Sequence, residues 1–146
     1  MSTKPVSGQQ AAQQYPGQRL GLPEDGPGSV ASWLRRFVAL FIDWIAARLV
    51  VTLFVGSAAW QGNGIEQIYV FVVFVVEATV LTTLLGGSFG QLVMRIAVGR
   101  LDRRQVTIPQ ALVRSLLICL VIPPLVFNRD NRGLHDLAVG TVTLTR

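Results

Sequence analysis

The sequence predicts an all-α membrane protein with two transmembrane helices, a third segment that is broken, re-entrant or spanning, and a disordered amino-terminal tail. Three observations lead there. Of the 146 residues, 51% are hydrophobic and only 14% charged, at a mean hydropathy of +0.49. A soluble domain runs near about a quarter charged, so lipid is the expected solvent and an ordinary water-soluble enzyme is disfavoured. Two apolar runs have the length of a bilayer, and the arginines gather at the connections around them. The net charge of +5 is then topological, and a nucleic-acid partner is not expected. Twelve of the 13 basic residues are Arg, which suits a GC-rich bacterial genome. The single Cys119 lies in an apolar run and reads as a small apolar side chain.

Residues 1–32 are rich in Gly, Pro and Gln and cannot bury enough surface to offset their ordering entropy, so a disordered tail is expected. The remainder, 33–146, forms the membrane domain. Span one is expected over 37–59, interrupted only by Asp43, Arg48 and Thr52; its roughly 35 Å of helix crosses a hydrocarbon layer of about 30 Å with some tilt. It begins too late and runs too long for a cleaved signal. Trp60 to Glu66 carry no Lys or Arg and read as an outer hairpin. Span two is expected over 67–85, Val-rich but too long for a strand. Gly86-Gly87-Ser88-Phe89-Gly90 then breaks the helix and opens a loop over 86–107 that holds Arg95, Arg100, Arg103 and Arg104. With Arg35 and Arg36 before span one, these cations put the amino terminus and the loop in the cytoplasm.

The third segment, 108–127, has Pro109 in its first turn and Pro123-Pro124 near its end. Helix fits over about 14 residues or roughly 20 Å, short of a crossing, which favours a re-entrant or kinked segment over a straight span. The tail, 128–146, carries Arg129, Arg132 and Arg146 and ends in alternating Val, Leu and Thr. Pairing Thr141–Thr145 with Ile96–Leu101, both strand-like, would tie the tail to the cytoplasmic loop.

Four ionisable residues lie inside the apolar segments, each costing about 2.5–3.5 kcal/mol on insertion scales, so each needs a partner or a task. Arg48 and Glu77 both sit at the middle of their spans, which predicts a midplane ion pair. Asp43 and Arg114 each lie six residues inside the cytoplasmic end of their segment and form a second candidate pair. The alternative makes Asp43 and Glu77 carboxylates of an ion or proton path. Arg36 and Asp43 are seven apart, on one stripe of span one.

These residues resemble the RDD family of small bacterial membrane proteins. Arg36 to Asp43 is similar to its opening motif, an Arg followed by Asp seven residues later. Gly86 to Gln91 with Arg95 and Val98 is similar to its central Gly-rich segment, although Ser88 and Gln91 stand where Thr and Lys are usual. Ala111-Leu112-Val113-Arg114 is similar to the start of its third segment, and Arg132 to Val142 to its terminal motif. The resemblance implies a multi-span inner-membrane protein, with transport of an ion or ligand as a suggested role, and marks Arg36, Asp43 and Asp136 as the family positions. Asp136 is placed to meet Arg36, Arg95 or Arg132, or to cap the turn at Leu137.

His135 is the lone histidine, with no Cys or second His beside it, so no metal or cofactor is expected. No nucleophile-and-base pattern or phosphate loop is present, so no catalytic residue is expected. The Gly86 to Gly90 spacing is that of a helix-dimer motif, but it lies at the end of a span. Two functions compete: a non-catalytic partner or scaffold in a membrane complex, and a small transporter or ion-handling protein acting as an oligomer. Both imply the lipid bilayer, self-association or another membrane protein as partners; the substrate is not legible.

Overall fold

The computed structural model describes residues 13–61, 64–120 and 131–146. Helix α1 spans Trp33–Val55 and continues as a 3-10 turn over Gly56–Trp60; α2 spans Glu66–Leu85. Both are long and apolar enough to cross a membrane, and only 28% of each apolar window is buried within the protein. Leu53 and Phe54 are more than four-fifths exposed, an apolar surface of the kind that faces lipid or another protein. The first helix starts four residues earlier than the apolar run, because Ser32 caps it by accepting the Arg35 amide. Its packing against α2 centres on Ala47, Val51, Ala59, Val70, Phe74 and Ala78. Small residues on α1 let the backbones approach where hydrophobic driving force is weak.

The segment 86–107, expected as a loop, is more ordered than that. Gly86 ends α2 in the left-handed region at φ 77°, its amide donating to the Thr82 carbonyl. A short helix α3, Phe89–Val93, follows, started by a Ser88–Gln91 capping box. Strand β1, Ile96–Arg100, comes next. Helix α4, Ile108–Cys119, is 12 residues long, about 18 Å, with Pro109 in its first turn and a second capping box from Thr107 and Gln110. The rest of the expected third segment, including Pro123-Pro124, lies outside the described residues, as does Arg129. Helix α5, Leu134–Val139, leads into strand β2, Thr141–Thr145.

The strands β1 and β2 pair antiparallel, Ile96 opposite Thr145 and Arg100 opposite Thr141, which is the pairing expected from their content. The architecture is therefore mostly helical with a small sheet, not all-helical. A second departure concerns the amino-terminal tail. Residues 1–12 lie outside the described residues, but 28–31, expected to be disordered, lie along the other edge of β2. Gly28 and Ala31 donate to the Thr145 and Thr143 carbonyls at 2.8 and 2.9 Å, and the Thr145 amide donates to Ser29 at 2.9 Å. Backbone pairing of this kind needs few large side chains, so composition does not announce it.

Candidate functional site

Two carboxylates from the long helices meet the start of α3. A helix start leaves its first amides without intrahelical partners, and here the long helices supply them. Asp43 of α1 accepts the Ser88 hydroxyl on Oδ2 and the Gly90 amide on Oδ1, both at 2.5 Å. Glu77 of α2 accepts the Phe89 amide at 2.7 Å. Gln91 uses its side-chain oxygen to accept the Ser88 amide at 3.1 Å. Gly90 permits this docking: a Cβ built on it collides with the backbone carbonyl of Ala39 on α1. The dimer-like glycine spacing thus serves a contact within the chain.

The second centre is Asp136 on α5, fully buried. Its Oδ1 accepts Arg114 Nε at 2.9 Å and the Thr141 hydroxyl at 3.0 Å, and its Oδ2 accepts the Thr143 hydroxyl at 3.0 Å. Arg36 Nη1 lies 3.9 Å from Oδ2 and His135 Nε2 lies 3.6 Å from Oδ1. Arg132 donates to the Thr141 carbonyl at 2.9 Å and the Asp136 carbonyl at 3.4 Å. Burial works against the charged carboxylate. The Arg114 guanidinium first, then His135 and Arg36, overcome it and hold the carboxyl well below its ordinary range.

Between the two centres is a small cavity of about 40 Å³, walled by Arg36, Asp43, Ser88, Gln91, Arg114 and His135 on its polar side. It has room for a water or two, which need about 10–15 Å³ each. Among the described residues no three His, Cys, Asp or Glu side chains gather as metal ligands.

The family positions Arg36 and Asp136 are brought together, whereas the two intramembrane pairs expected from depth are not formed. Arg48 donates to the Ala59 carbonyl at 2.7 Å and to Gln67 at 2.9 Å, and lies over the Trp44 ring at 4.3 Å and the Trp60 ring at 5.6 Å. Arg48 is seven residues from the end of α1 at Val55, while Glu77 is eleven past the start of α2 at Glu66. The two therefore sit at about 10 and 17 Å from the hairpin and reach in opposite directions. Arg114 is bound to Asp136 rather than Asp43, whose oxygens are already engaged by α3. Of the partners open to Asp136, Arg36 is found and Arg132 binds through the backbone. Arg114, Thr141 and Thr143 were not foreseen in that role. The Thr-x-Thr alternation in β2, which points both hydroxyls to one face, was the available signal.

No curated protein and no solved structure matches the chain significantly. Residues 30–140 match the family model described as the RDD family. That stretch holds Arg36, Asp43, Arg114 and Asp136 and covers most of the sequence, and the chain belongs to the RDD family.

Proposed function

We propose that this chain is a multi-pass inner-membrane protein with its amino terminus in the cytoplasm, acting as a non-catalytic partner that braces a larger membrane complex. The observation that carries this reading is the engagement of both family carboxylates. Asp43 holds α3 against the hairpin through two bonds, and Asp136 gathers Arg114, Thr141 and Thr143 through three. Groups bonded in this way fix a shape, whereas a proton carrier needs an oxygen open to its path. The orientation is supported by Arg35, Arg36, Arg95, Arg100, Arg103 and Arg104, all at the end of the hairpin that carries the sheet.

The test is affinity purification of the full chain in mild detergent together with reconstitution. A stoichiometric membrane partner, with ion flux in proteoliposomes equal to empty vesicles, is the expected result. Flux that Asp43→Asn abolishes in a folded protein overturns it. A second reading, an oligomeric ion- or proton-handling protein, is favoured by one group. Glu77 Oε2 is buried with no hydrogen-bond partner, at the edge of an apolar groove between α1 and α2. Flux lost in Glu77→Gln at unchanged stability selects that reading.

A further inference from the structure

An apolar groove of about 400 Å³ opens beside the polar cavity, between α1, α2 and α4. Its walls include Phe37, Leu40, Phe41, Trp44, Phe74 and Ile118, and four of these, Phe37, Leu40, Phe74 and Ile118, also wall the polar cavity. The two spaces are therefore neighbours across a shared wall, one wholly apolar and one lined with charge. The groove's size falls within the roughly 300–1,000 Å³ of small-molecule sites.

At the polar end, Arg36 has cationic capacity left over. Its side chain is 9% exposed, and among the described residues its only hydrogen bond is from Nη2 to the Thr143 carbonyl at 3.4 Å. Nε and Nη1 make none. The carboxylate nearest to it, Asp136, is taken by Arg114 and two threonines. A nine-tenths buried guanidinium with two donors lacking acceptors is costly unless an anion completes it. Around Asp136 two guanidinium groups, Arg36 and Arg114, face one carboxylate, while Arg132 reaches its backbone carbonyl, so Arg36 is the cation short of acceptors.

The geometry of the groove matches that charge. Arg36 lies in the first turn of α1, at the interface end, and Phe37, Leu40, Phe41 and Trp44 follow it down the helix. Eight residues of helix are about 12 Å, running from the interface toward the bilayer interior. This is the path of an acyl chain whose head stays at the surface. We propose that the groove and Arg36 together form a binding site for a long-chain fatty-acid anion, the carboxylate on Arg36 and the chain between α1, α2 and α4. The narrow polar cavity suits a carboxylate, which is smaller than a phospholipid head.

The site predicts discrimination by head charge at constant tail. The full chain carrying Trp33→Phe and Trp60→Phe keeps Trp44 as its sole tryptophan, in the groove wall. In unbrominated phosphatidylcholine vesicles at alkaline pH, a brominated fatty acid quenches Trp44 saturably. Its methyl ester binds at least about tenfold more weakly, the scale of one lost charge-assisted bond. Arg36→Gln removes that difference and Arg36→Lys restores part of it. Ile118→Trp in a Trp44→Phe chain, labelled at its new ring, reports quenching weakened by the filled groove. Equal quenching by acid and ester in the unsubstituted Arg36 protein overturns the proposal. So does saturable quenching by brominated phosphatidylcholine as strong as by the acid. These binding readouts require neither a partner nor flux, so they stand or fall separately from the scaffold reading.

Discussion

Replacing Asp136 by Asn keeps its shape but leaves Arg114 and Arg36 as buried cations without their carboxylate, the situation in which breaking a buried pair costs about 3–5 kcal/mol. Asp136→Asn should lower unfolding stability in detergent by that amount, and a change below about 1 kcal/mol would remove Asp136 from the role assigned to it. The pH dependence has a definite sign. The folded carboxyl titrates below its unfolded value of about 3.9, so its stabilisation is complete above that value and is lost as pH falls from there toward the lower folded value. Unfolding midpoints should therefore fall more steeply below about pH 4 in the native chain than in Asp136→Asn. At this scale the residues singled out from the sequence make contacts within the fold, mostly with partners other than those expected. Arg36, Asp43, Arg48, Glu77, Arg114 and Asp136 are each engaged. Side-chain reach and competition from backbone amides decide who meets whom, and neither is written in a count of residues from a span's end.

Between elements, the contact most open to test is α3 against α1. The collision of an added Cβ at Gly90 is with backbone of Ala39, which cannot swing aside, so Gly90→Ala should destabilise by about 1–3 kcal/mol or more. Gly99→Ala is the control, because its added Cβ meets Leu144 Cδ1 at an ordinary 3.5 Å. Thermal melts that place the two variants together would remove the close approach as the reason for glycine. Glu77→Gln makes the opposite prediction. The amide oxygen still accepts the Phe89 amide, and no ionisable oxygen is left buried beside the apolar groove, so stability should stay within about 0.5 kcal/mol or rise. A midplane pair with Arg48 would have required a large loss. The long helices were legible because composition over a whole bilayer's length carries them. The missed element, α3, was hidden because Gly86 to Gly90 reads as a breaker, although Ser88 and Gln91 already spelled a capping box.

Across the whole molecule, the small sheet joins three distant parts of the chain: residues 28–31, β1 after the second long helix, and β2 beside the carboxyl end. The β1–β2 pairing was readable from alternating Val, Leu and Thr. The contribution of residues 28–31 was not, because a strand edge is recognised by backbone groups that every residue shares. Since a single sheet cannot straddle the bilayer, all three parts must lie on the same side of it, with the hairpin turn near Gly64 on the other. On the orientation proposed above, the sheet lies on the cytoplasmic side. In a Cys119→Ser background, single cysteines at Glu24, Gln105 and Arg146 should resist a membrane-impermeant thiol reagent added to intact cells, and a cysteine at Gly64 should react. On opening the cells the first three should become reactive, as all three positions are exposed. The mirror-image pattern would reverse the orientation and keep the sheet. Reaction of Glu24 and Arg146 from opposite sides would break the sheet itself, and with it the placement of Asp136 beneath Arg36.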